Sequence, residues 1–236
     1  MTEPHPALPP DPIERPISTQ RWEKVSFIHW AYPARSVQRL IPAGLEVETF
    51  AGSAWVGMVP FVMKRVTLGA CPAVPWLTTF PETNLRTYVR GPDGGVGVWF
   101  FSLDVSRLAA VVTARTWFRV PYMLAAMRVY EDRGSVHYAC RRHLSPAFHR
   151  VTTTIGPPIA GDSLSSFLLN RWRAYTMSRQ GIGVVQVAHE SWPVRGAEVV
   201  DLDQSLTNAA GLPTPTDPPI AHYSPGVHAR VGRPST

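Results

Sequence analysis

Residues 80–104, FPETNLRTYVRGPDGGVGVWFFSLD, decide how the rest of the chain is read. At a period of two, Glu82, Asn84, Arg86, Tyr88 and Arg90 share one side of an extended strand, and Thr83, Leu85, Thr87 and Val89 share the other. One face is polar and the other mostly apolar. Gly91, Pro92, Asp93, Gly94 and Gly95 then supply a turn, because proline presets φ and glycine accepts positive φ, and the apolar run from Val96 to Leu103 returns as a second strand. The pattern predicts a β-hairpin. With a rise of about 3.3 Å per residue, the α-carbons of Glu82 and Arg86 stand about 13 Å apart, too far for an ion pair but suited to gripping two ends of a small ligand. The competing reading is a solvated exterior whose charges keep a sheet edge soluble.

At 236 residues and 44% hydrophobic content, the chain can bury one sizeable core, and a single domain over residues 20–228 is expected. Residues 1–19 hold prolines at 4, 6, 9, 10, 12 and 16 and predict a flexible lead-in, with a second flexible tail over 229–236. The net charge of +6 is carried almost wholly by arginine, since Lys24 and Lys64 are the only lysines. The arginines are scattered among hydrophobic segments, which favours attraction of small anions over nucleic-acid binding. Two cysteines, Cys71 and Cys140, make no disulfide framework, and free thiols in a reducing compartment are the simplest reading. The N-terminus lacks the basic start and apolar core of a signal peptide, and no apolar run reaches membrane-spanning length, so a cytoplasmic protein is expected.

Outside the hairpin, Val25 to Tyr32 reads as a strand with Phe27 and His29 on one side and Ile28 and Trp30 on the other. Residues 34–41 space Val37, Leu40 and Ile41 as a short helix. Strands follow over 45–50 and 54–68, with a turn at Ala51 and Gly52. Residues 69–79 predict an apolar loop able to roof a pocket, and 106–118 a helix stopped by Pro121. A hairpin is expected over 126–131 and 135–143, and a further strand over 148–155. Asp162 reads as the N-cap of a helix carrying Leu164, Phe167 and Leu168; an extended segment over 171–177, a strand over 183–190 and a short helix over 201–211 complete the pattern. Many short hairpin-linked strands with a few short helices, and no internal repeat, predict an antiparallel, barrel-like α+β domain.

FIHW at 27–30, the block from Leu40 to Phe61, FPETNLRTYV, GVWFFSLD, Ala114-Arg115 followed by Val120-Pro121-Tyr122, HESWP at 189–193 and HYSPGV at 222–227 resemble the uncharacterised YqjF-like family. That family is grouped with the acetoacetate decarboxylase-like superfamily, and the resemblance implies a curved antiparallel sheet closing into a cone or barrel around a buried pocket. Superfamily decarboxylases carry Gly-Arg-Glu and, after a short gap, Pro-Lys-Lys, whose first lysine forms a Schiff base. Here Ala114-Arg115-Thr116 and Pro121-Tyr122-Met123 stand at that spacing, so Tyr122 occupies the lysine's position. A phenol forms no imine with a ketone, and a Schiff-base decarboxylase is not expected. Glu82 resembles the superfamily's active-site glutamate.

If Glu82, Arg86, Arg115 and Tyr122 converge, an arginine would bind a carboxylate or enolate oxygen, Tyr122 would donate to a carbonyl and Glu82 would move a proton. Glu82 and Tyr122 are thus the catalytic candidates, and Arg86, Arg115, Asn84, Tyr88 and His29 the substrate-binding ones. The chemistry would be that of a lyase or hydrolase acting without a cofactor on a small oxo-acid or carbonyl compound. A non-catalytic binding or sensing protein using the same cavity is the alternative, and an interaction protein working through its proline-rich ends a third. A metal reading of Cys140, His143 and His149 fails on strand parity, and no phosphate loop or dinucleotide fingerprint occurs. The expected partners are a small anionic or carbonyl-containing ligand and copies of the same chain, with neither nucleic acid nor membrane.

Overall fold

The fold grows from the hairpin at its centre. In the computed structural model, which describes residues 5–10, 12–67, 69, 78–107, 121–178 and 180–235, strand β5 is Phe80–Arg90 and β6 is Val96–Val105. They pair from Arg90 opposite Val96 to Glu82 opposite Val105, with one register shift between Leu85 and Arg86. Before them come β1 (Ser18–Tyr32), helix α1 (Ala34–Gln38), β2 (Glu46–Val47), β3 (Thr49–Phe50) and β4 (Ser53–Lys64). After them come β7 (Tyr122–Asp132), β8 (Ser135–Arg142), β9 (Phe148–Pro158), α2 (Ser163–Leu169), β10 (Arg173–Ser178), β11 (Gly181–His189), β12 (Arg195–Gln204), α3 (Leu206–Ala209) and β13 (Ile220–Val231). Local chemistry accounts for the joints. Arg133 and Gly134, both at positive φ, turn β7 into β8, and Asp162 accepts from the Ser165 amide at the start of α2 while Ser165 bonds back to Asp162. The expected loop over 69–79 and helix over 106–118 fall largely outside the described residues.

The strands form a ring-like sheet that is mostly antiparallel but mixed, because β6 runs parallel to both β7 and β10. From β6 the neighbours run β7, β8, β9, β12, β13, β1, β4 and β5, and β5 pairs again with β6. A second circuit leaves β6 through β10 to β11, which pairs with β13. Strands β13, β1, β4, β5 and β6 are common to both circuits, so that wall carries a core on each side. Phe27, Val59, Phe61, Tyr88, Val98, Phe167 and Leu168 pack on one side. Ile28, Trp30, Val56, Met58, Leu85, Tyr138 and Val151 pack on the other. Thus the expectation of an α+β, predominantly antiparallel fold with a few short helices holds, and the apolar face of β5 covers a second core.

Two sequence expectations need correction. Residues 201–204 extend β12, and the helix is only Leu206–Ala209. The sequence pattern assigns no strand after residue 211 and places a flexible tail from 229, yet β13 is a twelve-residue strand reaching Val231 and bonded to β1, β11 and β12. Pro225 hides it, since proline normally argues against a central strand. The chain absorbs the proline at a skipped pair: Glu23 pairs with Gly226 and Val25 with Ser224 in unchanged register, so Pro225 faces Lys24, which sits at φ 52° and interrupts the ladder. Gly226 is required there, because at φ 136° any β-carbon would collide with the Trp22 carbonyl oxygen.

Candidate functional site

The polar face of β5 points into the core that holds Phe27, Phe167 and Tyr88. Glu82 is 3% exposed, Asn84 7% and Tyr88 0%, so the solvated-exterior reading does not hold for these residues. Arg90, at the strand end, is exposed and lies 3.5 Å from Glu48, outside this cluster. Tyr122 begins β7 and donates to Glu82 Oε2 at 3.2 Å. Burial pushes the Glu82 carboxyl up to about 8; the Tyr122 hydrogen bond pulls the other way, and the nearby Asp104 adds to the rise. At neutral pH Glu82 is an acid with its proton on. Tyr122 is held far above its ordinary value, first by burial and then by Glu82.

Helix α2 plugs the mouth of this core, and its C-terminal carbonyls organise the cationic end. A seven-residue helix leaves its last carbonyls without helical partners. Arg171 Nε bonds to the Phe167 carbonyl at 2.8 Å, Arg86 Nη2 and Tyr88 OH bond to Leu168 at 3.2 and 2.8 Å, and Trp192 Nε1 bonds to Leu169 at 3.2 Å. Positive charge also complements the C-terminal end of the helix. The two arginines differ in their counter-charge. Arg171 is clamped by Glu48 through Nη1, whereas no carboxylate among the described residues lies within ion-pairing distance of Arg86. The Arg86 guanidinium instead sits 5.7 and 5.8 Å from the ring centres of Phe27 and Tyr88, with Nε buried and unbonded.

His29 enters the site across Gly57. The pairs His29–Gly57 and Gly57–Arg86 put the three residues in one row, and a β-carbon on Gly57 would stand 2.6 Å from His29 Nε2. The ring therefore lies over a position kept empty by glycine and reaches Tyr88 OH at 2.6 Å. The Tyr88 hydroxyl spends its single hydrogen on the Leu168 carbonyl, so His29 must be the donor through Nε2–H. Burial, with Arg86 nearby, holds this histidine well below its ordinary value; the ring is neutral and its Nδ1 is a bare acceptor with no partner.

The structure thus joins Glu82 to Tyr122, and His29 to Tyr88 and Arg86, along one face that also carries Asn84. Arg115 lies outside the described residues. Sequence reasoning missed Glu48, Arg171 and Gly57. A lone arginine in the apolar run FLLNRW was the available signal for Arg171; nothing local marks Glu48, which stands 123 residues away from it. Both lysines of the chain are accounted for by ion pairs, Lys24 with Glu131 at 2.7 Å and Lys64 with Glu23 at 2.6 Å. His189 packs among Trp22, Trp172 and Trp192, with its Nδ1 donating to the Glu190 carbonyl. Cys140 is a buried free thiol raised by desolvation. Among the described residues no three histidine, cysteine or acidic side chains cluster as a metal site, and no helix is long and apolar enough to cross a membrane.

This double-sided ring is the fold of the acetoacetate decarboxylase-like proteins. The chain superimposes on acetoacetate decarboxylase from Legionella pneumophila with a TM-score of 0.65 at 12% identity, covering 96% of this chain and 92% of that one. The enduracididine biosynthesis enzyme MppR, solved with pyruvate, gives a TM-score of 0.67 at 10% identity over 96% and 92% of the two chains. An acetoacetate decarboxylase-like enzyme from Sphingomonas wittichii RW1 gives 0.65 at 14% identity over 94% and 93%. Within that fold the chain belongs to DUF2071, a family described as an uncharacterized conserved protein, which it matches over residues 19–228. It is 34% identical over 212 residues to the uncharacterized protein YqjF of Bacillus subtilis, covering 88% of this chain and 87% of that protein.

Proposed function

We propose that the protein binds a small monoanionic oxo-acid in a pocket over the polar face of residues 82–88 and moves a proton on it without a Schiff base or cofactor. The observation that carries this reading is Arg86, a guanidinium with no carboxylate partner among the described residues, beside a carboxyl pushed up to about 8. A cation held in an apolar core without a counter-ion is costly, and a bound carboxylate would supply the missing charge. Because Arg171 already has Glu48, one anionic group suffices.

In this arrangement Arg86 orients the carboxylate. Tyr122 donates to Glu82 Oε2, leaving the acid hydrogen of Glu82 on Oε1 to polarise the ligand's carbonyl. Loss of a proton next to that carbonyl sends the C–H electron pair to the oxygen, and the neutral His29 Nδ1, in register with Arg86 across Gly57, accepts the proton once the bound carboxylate offsets the Arg86 charge that, with burial, lowers its basicity. Both lysines being engaged in ion pairs supports chemistry without an imine. Pyruvate, present in the MppR complex, is the natural first probe.

The experiment is hydrogen–deuterium exchange of the methyl protons of pyruvate, followed by NMR. Acceleration by the protein, slowed on the order of a hundredfold in Glu82→Gln and abolished in Arg86→Ala, would support the enzyme. Arg86-dependent binding without exchange would assign the same pocket to a binding or sensing protein. That second reading draws on the bonds from Arg86 and Tyr88 to the Leu168 carbonyl, which tie the site to α2 and would let an occupied site report through the helix.

A further inference from the structure

Asn84 has no structural employment. Its carboxamide stands between Val59 on β4 and Leu103 on β6, both apolar and themselves buried, and its Oδ1 is shut off from solvent without a donor. A buried carboxamide oxygen left unpaired costs free energy, and a leucine in the same place would not. Neither polar neighbour on this face bonds to it: the Tyr122 hydroxyl goes to Glu82, and Arg86 Nη2 goes to the Leu168 carbonyl.

Its place along the strand says what it faces. Asn84 is two residues from Glu82 and two from Arg86 on the same face, about 6.6 Å from each along the strand. A ligand held by its carboxylate at Arg86 and by its carbonyl at Glu82 must pass Asn84 in between. We infer that Asn84 is a specificity-determining residue that selects oxo-acids carrying a hydroxyl or amino substituent between the carboxylate and the carbonyl. A hydroxyl satisfies the amide whichever way it is turned, since it both donates and accepts, and an ammonium donates to Oδ1. A bare methylene leaves the oxygen as it is found here. The inference rests on the oxo-acid reading of the site and narrows it.

The test is a matched pair of ligands titrated calorimetrically into the full chain: levulinate and its 2-hydroxy derivative, which differ by one oxygen between the carboxylate and the ketone. The hydroxylated compound should bind at least about tenfold more tightly. Asn84→Leu and Asn84→Ala should bring the ratio close to one whatever they do to the affinity for levulinate itself, a result that a merely structural role for Asn84 would not give. Equal affinities in the unaltered protein, or a preference that survives both substitutions, would overturn the inference and leave the oxo-acid reading standing. Failure of both compounds to bind, with Arg86→Ala indistinguishable from the unaltered protein, would overturn both.

Discussion

Strand β5 carries two buried polar clusters, one on each face, and they are built on opposite principles. On the face toward the second core, Thr83 bonds to His149 Nε2 at 2.9 Å, and Arg142 holds Asp104 through Nε at 2.6 Å and Nη2 at 3.1 Å and reaches Ser102 at 2.6 Å. Charge there is neutralised, although His149 Nδ1 and Thr153 Oγ1 are buried without partners among the described residues. On the other face, Asn84 Oδ1, Arg86 Nε and His29 Nδ1 are all buried and unbonded within one short patch, and no acid among the described residues pairs with the Arg86 guanidinium. A charge matched by its counter-ion fixes a fold; a charge left without one, beside other unmet groups, costs stability and is retained where a ligand completes it. The difference separates the structural cluster from the candidate site without appeal to shape.

The largest effect should come from breaking the satisfied side. Asp104→Ala leaves Arg142 buried and unpaired, which typically costs about 3–5 kcal/mol and should lower Tm by about 10 °C. A fall of a degree or two would mean that the two clusters do not differ in kind.

Glu82→Gln should act through pH. The folded carboxyl titrates near 8 and the unfolded one near 4.5, so the folded state keeps a proton that the unfolded chain releases. The Glu82 contribution is therefore fully present below pH 4.5 and declines as pH rises to 8, by up to about 1.4 kcal/mol per unit. Denaturant melts of protein and variant should coincide near pH 4 and separate in favour of the variant toward pH 8. Parallel curves would show that Glu82 ionises freely.

Gly57→Ala tests the tight end of the site. Its β-carbon would meet the His29 ring at 2.6 Å, and overpacking should cost about 2 kcal/mol and break the bond to Tyr88. Adding His29→Ala should restore much of that loss, because the clash is with that ring alone; additive losses would place the strain elsewhere. The smallest effect on stability is expected for Arg86→Met, within about 1 kcal/mol of the unaltered protein, since an apolar side chain of similar length removes an uncompensated charge. Its readout is the loss of oxo-acid binding in the same sample.

How much was legible follows from the range of each interaction. The alternation over residues 80–90, the glycine-rich turn and the Asp162 cap are local, and they were readable because backbone sterics and hydrogen bonds within a few residues decide them. Which residues share a face with Glu82 was equally plain from strand parity. Strand β13 was not, because Pro225 and Gly226 carry a turn signal that only the break in the ladder at Lys24, some two hundred residues earlier, reconciles with a strand.

By itself, the sequence determined that Glu82, Asn84, Arg86 and Tyr88 lie together on one face of a strand. The tertiary structure decided what those groups are worth. It buries both faces of β5 by sharing the wall between two circuits, which drives the Glu82 carboxyl up; it brings Glu48 to Arg171 and, among the described residues, no such partner to Arg86. Desolvation and the presence or absence of a counter-charge depend on neighbours distant in the chain, and strand periodicity carries no information about either.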